Sequence, residues 1–240
     1  MTEIPLKLKT WGDFACFTSE LRVERVSYPV MTPSAARGIL EAIFWKPQIR
    51  YEVDEIAVLK PIQTVSVRRN EIQGKVAVAG RDGVKVWMKE PPKFRPYLVD
   101  SAGRDDAQGE NRTQRNSVML RDVAYLISAR LIIKRPTTED NPQKYRRMFF
   151  ERADSGQCFR QPYFGIREYV AHFALPDGAE QPVPETRDLG VMLYDLDFPE
   201  NVSPPGTKAP NYALFAPARL EKGILDVAKM RANLYRRAQP

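Results

Sequence analysis

The segment TPSAARGILEAIFWKP at 32–47 constrains the fold of this chain more than any other. Thr32 can accept hydrogen bonds from the first free amides of a helix, Pro33 suits the first helical position, and Pro47 stops the run. Between them Ala36, Ile39, Leu40, Ile43 and Phe44 fall at i, i+3, i+4, i+7 and i+8. That spacing predicts a helix of about four turns with one apolar face. Such a face must be covered, and the flanking segments are strand-like. Ile4, Leu6 and Leu8 alternate with Glu3, Lys7 and Lys9, and Tyr51–Leu59 carries Val53, Ile56 and Val58.

The pattern returns further on. Ser117–Ile133 reads as a long strand through Val118, Leu120, Val123, Tyr125, Ile127 and Leu131, with a parity change between Leu120 and Val123 that predicts a bulge. Asn141 and Pro142 then open a helix over 142–155 whose apolar face is Tyr145, Met148, Phe149 and Ala153, and Gly156 ends it. Tyr163–Leu175 reads as a closing strand. The order strand, helix, strand, strand, helix, strand predicts an α+β fold, the ferredoxin-like (RRM-like) βαββαβ layout. Residues 60–117 interrupt it as a long β-hairpin insertion, with short strands expected at Val65–Val67, Val76–Val78 and Val84–Met88 and a mobile loop over 101–116. From Pro176 onward prolines punctuate short segments. Strands at Val191–Phe198, Ala213–Leu220 and Ile224–Lys229 predict a small C-terminal antiparallel β-sheet lobe. The expected domains are 1–175 and 176–240.

Charge narrows the function. The formal net charge is +7, and residues 1–175 hold 29 Lys and Arg against 21 Asp and Glu, whereas 176–240 hold 8 against 9. A basic first part suits an anionic partner, and a ferredoxin-like domain is a frequent RNA-binding frame. A solvated basic surface fits the same counts. Two cysteines, Cys16 and Cys158, give no disulfide framework, and the single histidine, His172, leaves no His-based metal site or triad in view. Its alternating neighbours make it a structural strand residue. No Gly-rich phosphate loop is present, so no cofactor or metal is expected. No apolar run has the length of a membrane span and no signal-peptide pattern opens the chain, which predicts a cytoplasmic protein without a membrane partner. Arg68, Arg69, Arg112, Arg115, Arg146, Arg147 and Arg160 are candidate phosphate contacts. Tyr163 and Phe164 suit stacking on unpaired bases and equally suit a core.

Five segments taken together, VERVSYPVMTPSAARGILEAIFWKP, VLKPIQTVSVRRNE, LRDVAYLISA, NPQKYRRMFFERADSGQCFRQPYFGIREY and DLGVMLYDLDF, resemble the CRISPR-associated crRNA-processing endoribonuclease subunits of type I-C systems, the Cas5 group of the RAMP superfamily. The resemblance spans most of the chain in order. It implies a protein that binds the repeat hairpin of precursor crRNA and cuts at the base of its stem without metal. The 2′-OH attacks the adjacent phosphate and leaves a 2′,3′-cyclic phosphate. The protein then stays on the 5′ handle beside the backbone and large subunits of an antiviral surveillance complex. Duplex DNA suits the same basic surface. The family's catalytic tyrosine, lysine and histidine fall on Phe44, Lys144 and Tyr145, so only the lysine is kept. Phe44 has no hydroxyl and can only pack or stack. A tyrosine in place of a histidine (unperturbed values about 10 and 6.5) predicts a more alkaline rate optimum. The same spacing fits Tyr145 as a core residue. The other reading is a structural RNA-binding subunit that does not cut.

Overall fold

The computed structural model describes residues 3–19, 24–72, 78, 83–93, 112–134, 141–197 and 212–238. In chain order the elements are β1 (Glu3–Ala15), β2 (Arg25–Val26), α1 (Pro33–Ile43), β3 (Ile49–Val58), β4 (Gln63–Ile72), α2 (Val84–Lys89), β5 (Arg112–Ile133), α3 (Pro142–Asp154), β6 (His172–Ala174), β7 (Arg187–Asp197), β8 (Tyr212–Glu221), β9 (Ile224–Asp226), α4 (Val227–Arg231) and β10 (Tyr235–Ala238). They make a mixed α/β fold with a mostly antiparallel sheet. The main strand order is β10-β8-β9-β3-β5-β1-β6, with β7 on β8 and both β2 and β4 on β5. The chain divides into two compact units, Met1–Val65 with Val118–Pro240, and Ser66–Ser117.

In the larger unit the core grows from strand alternation. Leu8, Leu6 and Ile4 of β1 stand opposite Ile127, Ala129 and Leu131 of β5, and all are buried. Ile56 of β3 faces Ile127 from the other side. Each buried aliphatic side chain contributes about 1.5–3 kcal/mol. The α1 face of Ala36, Ile39, Leu40 and Ile43 is buried as its spacing predicts. Thr32 caps it, accepting from the Ala35 amide at 3.3 Å. The helix has 11 residues, about three turns rather than four. On α3, Tyr145, Phe149 and Ala153 are buried, and the Phe149 ring lies 6.0 Å from that of Tyr51 on β3.

The parity break in β5 has a different cause from a bulge. The pairing of β1 with β5 keeps one register from Glu3↔Ile132 to Ala15↔Leu120. The strand instead kinks at Asp122, a non-glycine residue at φ 50°. Arg121 and Asp122 are both exposed there, and Val123 resumes the buried face in the opposite parity.

Three strand expectations need correction. Tyr163–Leu175 is a strand only over His172–Ala174, with an isolated bridge from Tyr163 to Val170. Between them Gly165 turns at φ +79°, and a Cβ there would lie 2.0 Å from the Cys16 carbonyl oxygen. Aromatic content made the segment look like a strand; the close backbone approach makes it a loop. Ile224–Lys229 is strand only to Asp226, whose carboxylate accepts from the Lys229 amide at 2.8 Å and starts α4. In the smaller unit, Val84–Met88 lies in helix α2, not in a strand. Pro91 and Pro92 follow it, and prolines cannot donate to a ladder but suit a helix end. Val65–Val67 lies within β4. The expected strand residues 76 and 77, and 101–111 of the expected loop, lie outside the described residues, while 112–116 of that loop are instead the start of strand β5.

The C-terminal strands join the same sheet, since β9 pairs with β3 at Ile56↔Leu225. A second tie is ionic. Arg37 of α1 donates to both carboxylate oxygens of Asp195 on β7 at 2.7 and 2.8 Å and to Glu41 at 2.7 Å. Burial works against the Arg37 charge, but these carboxylates outweigh it and raise its pKa above the ordinary value. A third tie fixes the loop before β7. Glu180 meets Lys9 of β1 at 3.0 Å and accepts from the amides of Asp177 and Gly178. Burial pushes its carboxyl up, while Lys9 and those amides pull it down further, to about 2.

Two outcomes are expected. Gly165→Ala destabilises the protein by more than about 1 kcal/mol in urea unfolding, because the left-handed turn and the Cys16 carbonyl both exclude a methyl group. Glu180→Gln lowers the melting temperature at pH 7. The depressed carboxyl stabilises the fold above its unfolded value near 4.5 and loses that contribution as pH falls toward about 2. The melting difference between wild type and variant should therefore close across that window; a constant difference would exclude the ionised carboxylate as its cause.

Candidate active site and nucleic-acid interface

The first turns of α3 carry the densest group of candidate residues. Asn141 caps the helix, accepting from the Gln143 amide at 2.9 Å, and its own carbonyl accepts from the amides of Lys144 and Tyr145 at 3.0 and 3.3 Å. Pro142 has no amide hydrogen. The helix end therefore keeps no free donor among its first residues, contrary to the simple picture of an amide nest for phosphate. What remains is the helix dipole and the cationic side chains.

An open cleft of about 610 Å³ lies along this turn, lined by Asn141, Gln143, Lys144, Arg146, Arg147, Phe150 and Glu151. Lys144 is exposed and has no ionic partner among the described residues. Arg146 is exposed and stacks on the Phe150 ring at 4.8 Å. Arg147 is exposed too, in a loose pair with Glu151 at 3.4 Å. Solvent screens such a pair strongly, so both arginines keep their charge available to an anion.

Lys144 and Tyr145 are neighbours in sequence but not in direction. Lys144 faces solvent, while Tyr145 is 7% exposed and packs its ring 6.3 Å from that of Phe44. Phe44, at 1% exposure, is a core residue at the end of α1. The structure thus brings positions 44 and 145 together and leaves Lys144 at the rim beside them. The end of α1 is held firmly. The Ala42 carbonyl accepts from the amides of Phe159 and Arg160 at 2.8 and 3.0 Å, that of Ile43 from Arg152 at 3.2 Å, and that of Phe44 from the Tyr51 hydroxyl at 2.6 Å. Burial raises the Tyr51 pKa far above its ordinary value, so this hydroxyl remains a donor.

The other predicted contacts are distributed. Arg160 is exposed and lies over the Phe159 ring at 5.3 Å. Tyr163 is 41% exposed. Phe164 requires correction: it is fully buried, edge-on to Phe17 and Tyr125, so no base can stack on it. His172 is an exposed strand residue, stacked on Trp11 at 5.9 Å. In the smaller unit Arg68 is exposed, Arg69 half-buried, and Arg115 half-buried at 3.7 Å from Glu71. Arg112 begins β5, and its side chain lies outside the described residues.

Sequence reading passed over two exposed aromatics, Trp45 at 50% and Phe159 at 65% exposure. The available signal was phase: Trp45 falls just past the apolar face of α1, and Phe159 lies beyond the glycine that ends α3. A larger cleft of about 870 Å³, lined in part by Arg37, Glu52, Asp195 and Arg231, is elsewhere in the larger unit. Its charges neutralise one another, and Arg231 reaches Glu52, Asp54 and the Tyr194 hydroxyl. It offers little net attraction to an anion. Among the described residues no group of three or more His, Cys, Asp or Glu is placed to hold a metal, and no helix is long and apolar enough to cross a membrane.

Over residues 5–228 the chain matches the family described as CRISPR-associated protein (Cas_Cas5). It is 42% identical over 242 residues to a protein of Mannheimia succiniciproducens, covering 97% of this chain and 98% of that one. It is 43% identical over 243 residues to a protein of Thermus thermophilus, covering 96% and 95%. Both relatives are named CRISPR pre-crRNA endoribonuclease Cas5d. Two solved structures share the fold at 19% identity: a CRISPR-associated protein with TM-score 0.62 and a Streptococcus mutans protein with TM-score 0.61, each covering 94% of this chain and 93% of that one. With nearly every residue of both relatives accounted for, this chain belongs to the Cas5d family of CRISPR-associated proteins.

Proposed function

We propose that this protein is a pre-crRNA endoribonuclease that binds a CRISPR repeat hairpin and cuts it at the base of the stem. The observation that carries the reading is the full-length identity of 42–43% to two relatives bearing that name. The exposed Lys144, flanked by Arg146 and Arg147 at a helix N-terminus, supports it chemically.

Cleavage proceeds without metal. The 2′-oxygen forms a bond to the adjacent phosphorus as the bond to the 5′-oxygen breaks, giving a 2′,3′-cyclic phosphate and a 5′-OH. Lys144 is the catalytic residue, its ammonium placed against the charge that builds on the phosphorane oxygens. The buried Tyr145, packed on Phe44, is a positioning residue that fixes the first turn of α3. With no histidine at this corner, water and hydroxide accept the 2′-proton and return one to the leaving oxygen, which makes the reaction faster in alkali.

We read β6-β1-β5-β3, all antiparallel, with α1 and α3 as crossovers, as a ferredoxin-like domain. Residues 1–175 form this catalytic and RNA-binding part, with 60–117 inserted, and 176–240 form an appended lobe. After cutting, the protein remains on the 5′ handle beside the backbone and large subunits of a type I-C surveillance complex in the cytoplasm. Its basic surface also accepts duplex DNA. The lost tyrosine hydroxyl at Phe44 favours a second reading, a structural subunit that binds RNA without cutting.

In chelator, the wild-type protein should cut its own repeat RNA, and a 2′-deoxy substitution at the cut site should stop it. Lys144→Ala should cut about 10²–10³-fold more slowly. Tyr145→Phe should retain most of the rate, and the wild-type rate should rise with pH through neutrality. Full activity in Lys144→Ala removes the mechanism; binding without cleavage by wild type establishes the structural subunit instead. Affinity should fall steeply with salt, and Arg146→Ala or Arg147→Ala should each reduce the slope of log affinity against log salt by about 1.

A further inference from the structure

The corner where α1 ends presents two large aromatic surfaces to solvent. Trp45 is 50% and Phe159 65% exposed. They belong to one corner because the Phe159 amide is hydrogen-bonded to the Ala42 carbonyl, three residues before Trp45. No ring, hydrogen-bond or ionic partner of the Trp45 indole is found among the described residues. Exposed aromatic surface costs free energy in water, and covering it recovers that cost. The charge around them identifies what does. Lys46 is exposed beside them, Arg160 is exposed and lies over one face of the Phe159 ring at 5.3 Å, and Arg152 lies over Phe44 at 5.6 Å. The nearby carboxylate of Glu41 is already held by Arg37 at 2.7 Å. Aromatic faces interleaved with unneutralised cations suit single-stranded nucleic acid, whose bases stack while its phosphates pair. An apolar protein surface would not need the cations.

The location is informative. Phe44 and Tyr145 touch through their rings, Trp45 follows the first, and Lys144 precedes the second. Trp45 and the catalytic lysine are thus each one residue from a single ring contact. Through that contact the exposed Trp45 and the exposed Lys144 belong to one corner of the protein.

We propose that Trp45 and Phe159 form a stacking platform for unpaired nucleotides next to the scissile phosphate, and that the platform positions the RNA strand for cleavage. The platform rests on the endoribonuclease reading and adds to it the residues that hold the flanking single strand. Stacking puts the ribose of the cut nucleotide in line with its phosphate, so the platform acts on binding and alignment rather than on the bond-breaking step.

The test uses full-length protein and repeat RNA made uncleavable by one 2′-deoxy substitution, with 2-aminopurine at successive unpaired positions beside the hairpin. Wild type should quench the fluorophore at one or two of these positions. Trp45→Ala should lose that quench and bind about tenfold more weakly, and Trp45→Phe should restore part of both. Phe159→Ala should show a smaller loss of the same kind. With cleavable RNA the variants should raise KM more than they lower kcat. Both side chains are exposed, so melting temperatures should stay at the wild-type value; if Trp45→Ala melts early, Phe159→Ala decides. Wild-type quench and affinity in both alanine variants overturns the platform while leaving the endoribonuclease reading intact. Failure of the wild-type protein itself to bind or cut the RNA overturns that reading, and the platform with it.

Discussion

The backbone of β5 is hydrogen-bonded on both edges, and most of the larger unit depends on that. From Tyr125 to Ile132 its residues pair with β1 on one side and β3 on the other. A strand saturated in this way cannot slip by one residue without turning Leu8, Ile56 and Ile127 out of the core. The fixed register gives α1 and α3 a surface on which to lay Ile39, Leu40 and Phe149. It also fixes β3, and through β3 the C-terminal strands, because β9 pairs along its outer edge. The candidate corner is a product of this order. Phe44 and Tyr145 meet because two helices are set on one face of one sheet.

Much of this was legible in the sequence. The caps at Thr32 and Asn141 and the apolar spacing in both helices depend on neighbouring residues, and they predicted α1 and α3 to within a turn. Alternation predicted β1, β3 and β5. What it could not read was conformation imposed from far away. The turn at Gly165 follows from the approach of the Cys16 carbonyl, which is 149 positions earlier in the chain. Residues 84–88 alternate like a strand, yet their backbone closes helical hydrogen bonds, with the Glu90 amide on the Val86 carbonyl at 2.8 Å. The Asp122 kink left a correct trace, a change of parity, whose cause was ambiguous between an added residue and a left-handed one.

At the site, resemblance named positions 44, 144 and 145 together, and position in the chain did not say where their side chains point. The rings of Phe44 and Tyr145 meet, and Lys144 stands beside them as the exposed neighbour of Tyr145 in the chain. A helix rotates by about 100° per residue, however, so adjacent positions cannot share a face. Lys144 on the solvent side therefore commits Tyr145 to the core side. Trp45 lies beyond the last helical residue, past the extended Phe44, so the helical phase no longer governs where it points. Polarity patterns identify what is buried; they do not single out an exposed aromatic until the burial is known.

The occupied carbonyls at the end of α1 carry one more implication. Those of Ala42, Ile43 and Phe44 are each engaged by a distant donor, from the 159–160 backbone, Arg152 and Tyr51. The main chain at this corner has little acceptor capacity left to meet the edge of a base. Hydrogen bonds to a nucleotide resting there would come from side-chain donors such as Lys46 and Arg160, both exposed, rather than from main-chain acceptors. The main chain of this corner therefore adds little to telling one base from another.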